Sequence, residues 1–336
     1  MRDGATPERE PQVAAVAGDP AEPLPKPGPG PRRDAVGRLI LGAALISTTS
    51  IFVRWAHVEP TTSAFYRMAF GGVMLLGLQL ARGRWRWPDR GEVGWLLLPA
   101  LAFGADLMVW HRSIREVGPG LATLLGNFQV FIMAGVGIAF YRERPGWRFA
   151  LGVALALAGL WLLVGVGWEQ LTPRYRLGVL LGILTGVAYA VYMLSLRHAQ
   201  LRRRDLTPER TLCIVSLLCA LMLAVAVAVE GAGFRIPDGQ TWLALLGLAL
   251  FGQVLGWVLI ARAMPLLPAS LVGLLLLLQP VLSFVLDVAL FARPTAATDW
   301  VGLALSLGGI FIASSRRGEG RRERGEVKAK DLGSTP

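Results

Sequence analysis

The feature that most constrains this chain is a succession of ten apolar runs, each about as long as a membrane span, joined by short polar links. The runs fall at roughly 38–56, 62–81, 94–112, 119–141, 148–167, 176–196, 211–229, 240–261, 268–291 and 299–315. A helix needs about twenty apolar residues to cross the hydrocarbon core of a bilayer. The links carry helix breakers such as Pro60, Pro88, Pro119, Pro145, Pro173 and Pro294. In lipid an unpaired backbone group is so costly that only helices and closed barrels span, and runs this long without alternation are helices. Composition agrees, with 54% hydrophobic and only 17% charged residues, where a soluble domain has about a quarter charged. The expectation is an all-α membrane protein with ten transmembrane helices.

A net charge of +11 would suit a nucleic-acid partner only if the arginines lined one basic face. They cluster instead at the ends of apolar runs, so no nucleic acid is expected. Arg82, Arg84, Arg86 and Arg90, then Arg142, Arg144 and Arg148, then Arg197, Arg202, Arg203 and Arg204 fill alternate links. The other links hold only scattered ones, such as Arg112, Arg115, Arg174, Arg176, Arg235 and Arg293. Positive loops stay in the cytoplasm. The reading is a multi-pass protein of the cell (inner) membrane, with both termini cytoplasmic. Residues 1–37, rich in Pro, Ala and Gly, and residues 316–336 read as disordered or polar cytoplasmic tails, and the first lacks a signal peptide's apolar stretch. Cys213 and Cys219 share one apolar run and read as inert packing residues.

The chain repeats itself. GVALALAGL from Gly152 and GLALSLGGI from Gly302 agree at five of nine positions, at an offset of 150 residues. The same offset pairs Arg112 with Arg262, Leu121 with Leu271, Leu124 with Leu274 and Gln129 with Gln279. Two five-helix copies, 38–167 and 168–315, follow. An odd number of spans per copy turns the second upside down relative to the first. Such inverted repeats are the geometry of alternating access, with the solute near the midplane.

Certain segments also resemble a known family. The first copy reads ADLMVWHRSI, then GLATLLGNFQVF and FYRERP; the second reads FGQVLGWVLIARAM, then PASLVGLLLLLQPVLSF. These are similar to EamA-type transporters of the drug/metabolite transporter superfamily, over about residues 38–315. The resemblance implies ten helices in two inverted repeats, a central cavity lined by helices 1, 3, 4, 6, 8 and 9, and efflux of small metabolites. Where that family has a proline in helix 4 and a glutamate after helix 9, this chain has Val130 and Arg293.

Polar side chains at depth are the candidate site, because a charge at the bilayer centre costs roughly 2.5–3.5 kcal/mol and must face protein or water. Asp106 lies near mid-depth; it suits a cationic group or a proton, or else an ion pair with Arg54 or Arg67. Asn127, Gln129, Gln253 and Gln279 reach a similar depth from both copies and read as borders of one solute cavity, with Tyr189 and Tyr192 along its wall. Gln279, Ser283 and Asp287 share one stripe of the ninth helix; Ser283 joins the candidate site, and Asp287 reads as a solvated helix end. Trp110 and His111 read as residues of the membrane edge. Thr48, Thr49 and Ser50 read as hydroxyls bonded to their own helix. Glycines at 178, 182 and 186, and the pairs Gly152 with Ala156 and Gly302 with Ser306, read as close helix contacts, the last also suiting a homodimer. No metal ligands, cofactor or catalytic residues are expected: H-E-x-x-H, G-x-S-x-G and a P-loop do not occur. The expected partners are a small-molecule substrate and the lipid bilayer, with a homodimer as the candidate assembly. A transporter is favoured over a membrane scaffold or receptor, and over an intramembrane enzyme.

Overall fold

A computed structural model of the chain describes residues 29–129, 131–133, 135–136, 146–165, 168–202, 206–263, 266–267 and 275–314. Val130, Glu143 and most of the two tails lie outside the described residues. The helices are α1 (Pro29–Ser47), α2 (Thr49–Trp55), α3 (Pro60–Ala81), α4 (Arg90–Val117), α5 (Pro119–Gly126) and α6 (Trp147–Leu160). They continue as α7 (Pro173–Arg202), α8 (Pro208–Glu230), α9 (Gly239–Gly247), α10 (Trp257–Ala263), α11 (Leu278–Phe291) and α12 (Ala297–Ser314). Two π-helical stretches, Trp161–Gly165 and Leu248–Gly256, extend α6 and fuse α9 to α10. The described residues contain no strand.

Among the described residues, six segments are long and apolar enough to cross a membrane: Arg33–Trp55, Pro60–Ala81, Arg90–Val117, Pro173–Leu196, Pro208–Glu230 and Gly239–Ala263. Shorter apolar helices lie within the other four expected runs, Pro119–Gly126, Trp147–Leu163, Leu278–Phe291 and Ala297–Ala313. At 1.5 Å per residue, a fourteen-residue helix spans only about 21 Å of a core about 30 Å thick. The first helix starts at Pro29, ahead of the boundary expected at residue 38.

Local chemistry explains the helix boundaries. Prolines stand at the first turn of α3, α5 and α8, where a missing N–H costs nothing. Asp89 and Glu92 form a reciprocal capping box at the start of α4. The first span breaks at Thr48. Ser47, Thr48 and Thr49 each donate to the carbonyl three residues earlier, at 2.6–2.7 Å, and Ser50 does so at 3.1 Å. Hydroxyls bonded back in this way compete with the helix ladder and bend it.

Small residues set the helix contacts. A side chain on Gly178 would meet Val117 and Glu116 of α4, and one on Gly182 would meet Leu125 of α5, so α7 seats directly on both. Gly152, Ala156 and Gly159 of α6 lock against Gly302, Ser306 and Gly309 of α12, with backbone atoms 2.4–2.8 Å from the Cβ that a glycine lacks. The two stripes considered for a homodimer therefore face each other within one chain. Cys213 and Cys219 are free and buried.

The loops gather at two ends. At the Gly118 end, Arg115 donates to the carbonyls of Ala56 (2.6 Å) and Val58, Thr62 donates to Gly233 O at 3.0 Å, and Arg112 bonds Thr61 and Glu230, each at 2.7 Å. At the Trp85 end, Glu92 is fully buried between Arg210 (2.7 Å) and Arg86 (2.8 Å), and Arg262 bonds Glu209 at 2.7 Å. Asp287 departs from expectation. It is buried rather than solvated, because α11 ends against the start of α5, where Gly120 N–H donates to its carboxylate.

Candidate functional site

The deepest polar chemistry is a cluster drawn from α3, α4, α7 and the π stretch between α9 and α10. Arg67 of α3 is only 3% exposed. Its guanidinium lies over the ring of Trp110 at 5.6 Å, and Gly252 leaves room beside Nη2. Asp106 of α4 is buried nearby, and each charge acts electrostatically on the other. No ion pair joins them: Arg67 Nε and Asp106 Oδ1 both lack a hydrogen-bond partner among the described residues. Arg54, the other partner considered for Asp106, is exposed and sits over Phe291 at 5.0 Å.

His111 is a correction. It is fully buried rather than a surface residue, because α3 packs across it and places Ser63 Oγ 2.7 Å from its Nδ1. Ser63 spends its own proton on Pro60 O at 2.9 Å. The imidazole must therefore donate from Nδ1, which leaves Nε2 a buried lone pair without a donor. Trp110 is partly buried and packs against two core clusters, so it is engaged within the protein.

Gln253 is presented by the π stretch, a distortion that commonly marks functional positions. Its Nε2 donates to Ser216 Oγ at 2.8 Å and its Oε1 is left without a donor. Trp257 Nε1 is likewise buried without an acceptor. Aromatic rings wall this group. Phe103 stacks on Tyr192 with centroids 4.4 Å apart, Tyr189 lies 5.8 Å from Tyr192, and Trp257 is 6.5 Å from both Tyr189 and Phe103. Buried polar groups without partners are rare in folded proteins, so five in one cluster call for an explanation.

The structure thus brings Asp106, Gln253, Tyr189 and Tyr192 together and sets the other candidates apart. Asn127 turns its amide back onto Thr123 O at 2.8 Å. Gln129 packs its backbone beside Gly186, one turn along α7 from Tyr189, and its Oε1 is also buried without a donor. Gln279 is half-buried on α11. Ser283 is engaged in joining helices: it donates to Ser47 O at 3.0 Å and lies 3.1 Å from Ser50 Oγ, at the break in the first span. Arg67, His111 and Trp257 are the members that depth counting undervalued. The signal for Arg67 was in the sequence, since an arginine inside an apolar run is itself a site marker.

The family model for EamA-like transporters matches this chain twice, over residues 36–165 and 176–315. The chain belongs to the EamA-like transporter family. Its two tandem copies are therefore real, and it is a multi-pass membrane transporter. It is similar to the uncharacterized transporter YwfM of Bacillus subtilis (strain 168), with 24% identity covering 82% of this chain and 92% of the relative. An uncharacterized transporter of Archaeoglobus fulgidus is 25% identical, covering 82% of this chain and 94% of its own length. A solved crystal structure with 20% identity covers 84% of this transporter and 97% of its own chain at a TM-score of 0.58, which supports the fold.

Proposed function

We propose that this EamA-like transporter moves a small polar or amphipathic metabolite out of the cell by alternating access. In this reading ten helices form two inverted repeats, both termini are cytoplasmic, and the Gly118 end faces outward. The observation that carries the reading is the buried, unpaired couple of Arg67 and Asp106, with free hydrogen-bonding atoms around it. Leaving such groups unsatisfied is expensive, and a solute that satisfies them recovers the cost.

The free atoms also describe the solute. Arg67 Nε and Trp257 Nε1 are donors that call for an anionic group; Asp106, Gln253 and His111 offer acceptors that call for a cationic or donor-rich one. A bare anion would leave the site with an excess negative charge, and a bare cation with an excess positive one. A molecule bearing both groups closes the site without net charge, and its apolar part meets Trp110, Tyr189, Tyr192 and Trp257. Asn127, Gln129 and Gln279 are then assigned to the walls of the route rather than to the closest contacts.

The test is thermal stability of the purified protein with three matched solutes at saturating concentration: phenylalanine, 3-phenylpropionate and phenethylamine. A bound solute at a hundred times its Kd adds about 2.7 kcal/mol. The doubly charged compound should raise the melting temperature most, and Arg67→Gln should remove that response. Equal shifts from all three would defeat the charge argument. No shift with these or with a panel of nucleosides, cationic drugs and other polar metabolites would defeat the transporter site itself.

A further inference from the structure

At the Gly118 end, one acid and one arginine tie together parts of both repeats. Asp287, near the end of α11, is 2% exposed. Its Oδ2 accepts from Gly120 N–H at 3.2 Å and from Arg293 Nη1 at 3.2 Å. Arg293 Nη1 also donates to Val117 O, the C-terminus of α4, at 3.0 Å, and its Nη2 reaches Tyr175 Oη of α7 at 3.4 Å. The guanidinium covers the ring of Phe284 at 5.3 Å.

The backbone is shaped around this pair. Ala292 holds φ at +48°, in the left-handed region that a residue with a Cβ seldom adopts, and the chain turns there just before Arg293. Gly118 sits at φ +90°, and a side chain there would stand 2.7 Å from Asp287 Oδ2 and 3.3 Å from Arg293 Nη1. The glycine lets the α4–α5 turn close onto the acid. Two residues thus fasten the ends of α4, α5, α7 and α11 together.

The opposite end lacks the same pair in sequence. At the internal offset of 150 residues, Asp287 corresponds to Gly137 and Arg293 to Glu143, so the acid is missing and the base is replaced by an acid. That end is fastened by other groups, Glu92 with Arg210 and Arg86, and Glu209 with Arg262.

We infer that Asp287 and Arg293 form the gate at the outward-facing end, the contact that holds that end shut in the resting protein. The inference rests on the alternating-access reading above. It makes the two residues gating groups, distinct from those that touch solute. Opening that end requires α11 to part from α4, α5 and α7, which pack on one another through Gly178 and Gly182, and the latch bonds are among those that must break. A charge pair whose arginine is 18% exposed can exchange its bonds for water when the end opens.

The experiment places one cysteine at Thr185, on α7 inward of Tyr175, in the full chain with Cys213→Ser and Cys219→Ser, in sealed native membranes of known orientation. A membrane-impermeant maleimide is applied from each side. Asp287→Asn and Arg293→Gln should raise the outside labelling rate about tenfold and lower the inside rate, while Arg293→Lys restores most of the closure. Tyr175→Phe, which removes one bond and leaves the acid paired, should raise outside labelling about twofold. Unchanged outside labelling in both Arg293→Gln and Tyr175→Phe, with inside labelling intact, overturns the gate and leaves the pair as a packing contact. A Thr185 cysteine unreachable from outside in every latch variant overturns the gate, and a solute-dependent rise in melting temperature that persists in those variants leaves the transport reading standing.

Discussion

Helix α4 carries two buried carboxylates that the protein treats in opposite ways. Glu92, in its first turn, is fully buried and both oxygens are taken: Oε1 by Arg86 at 2.8 Å, Oε2 by Arg210 at 2.7 Å and by the N–H of Asp89 at 3.0 Å. Asp106, further along the same helix, is also buried, yet its Oδ1 has no donor and Arg67 stops short of an ion pair. A carboxylate whose lone pairs are filled by fixed neighbours has one use, which is to hold those neighbours. One that is left open keeps its interaction energy for something that arrives and leaves. Completeness of the carboxylate's own pairing, more than its burial or depth, separates these two acids.

The largest effect should come from breaking the pairing of Glu92 with Arg210. Glu92→Gln leaves Arg210 buried without its countercharge, and such a loss costs about 3–5 kcal/mol. Unfolding of the variant in detergent micelles should show that loss, and Glu92→Met with Arg210→Met should recover part of it because no charge is then stranded. A loss below about 1 kcal/mol would put the pair in the class of exposed ion pairs and remove one side of the comparison.

Asp106→Asn should behave in the reverse sense. It removes a charge that has no fixed partner, so the folded protein should be as stable as wild type or more so, by up to about 2 kcal/mol. Affinity for the stabilising solute should nonetheless fall about 30-fold, the equivalent of roughly 2 kcal/mol. The two quantities can be read from one titration followed by melting temperature. If Asp106→Asn proves as damaging to the fold as Glu92→Gln, Asp106 is structural and the contrast fails.

How much of this was legible in the sequence depends on which coordinate a residue's role needs. Position along the chain was enough for the apolar runs, for the proline starts of α3, α5 and α7, for the break at Thr48 and for the glycine stripe of α7. Those features follow from local chemistry or from spacing on one helix. Direction around the helix was not available, because one residue of register turns a side chain by about 100°. Asp287 and His111 were placed by depth alone, and both are buried because a neighbouring helix covers the face they occupy. Gln253 and Trp257 are harder still. The π stretch Leu248–Gly256 changes the register of everything after it, and no hydrophobic periodicity announces it. Arg67 was seen, but as a countercharge for Asp106; that the two stay unjoined is a property of packing.

The smallest effect concerns a third acid, outside the membrane spans, where solvent removes most of the energy at stake. Asp238 caps α9: its Oδ1 accepts from Thr241 N–H at 2.7 Å, while its Oδ2 pairs with His57 Nδ1 at 2.8 Å. Hydrogen bonding from His57, and then from the Thr241 amide, holds its carboxyl below the usual aspartate range. A carboxyl whose pKa is lower in the folded state than in the unfolded one adds stability above its unfolded value, about pH 4, and that contribution disappears as pH falls through the folded value. Asp238→Asn should therefore lower the melting temperature slightly at pH 7, equally at pH 6, and not at all in strong acid. His57→Ala should lower it by less at pH 7, since the cap to Thr241 survives. A difference between wild type and Asp238→Asn that grows below pH 4 would reverse the sign of the linkage, and would mean that the loop between α2 and α3 is not held to the start of α9 by this carboxylate.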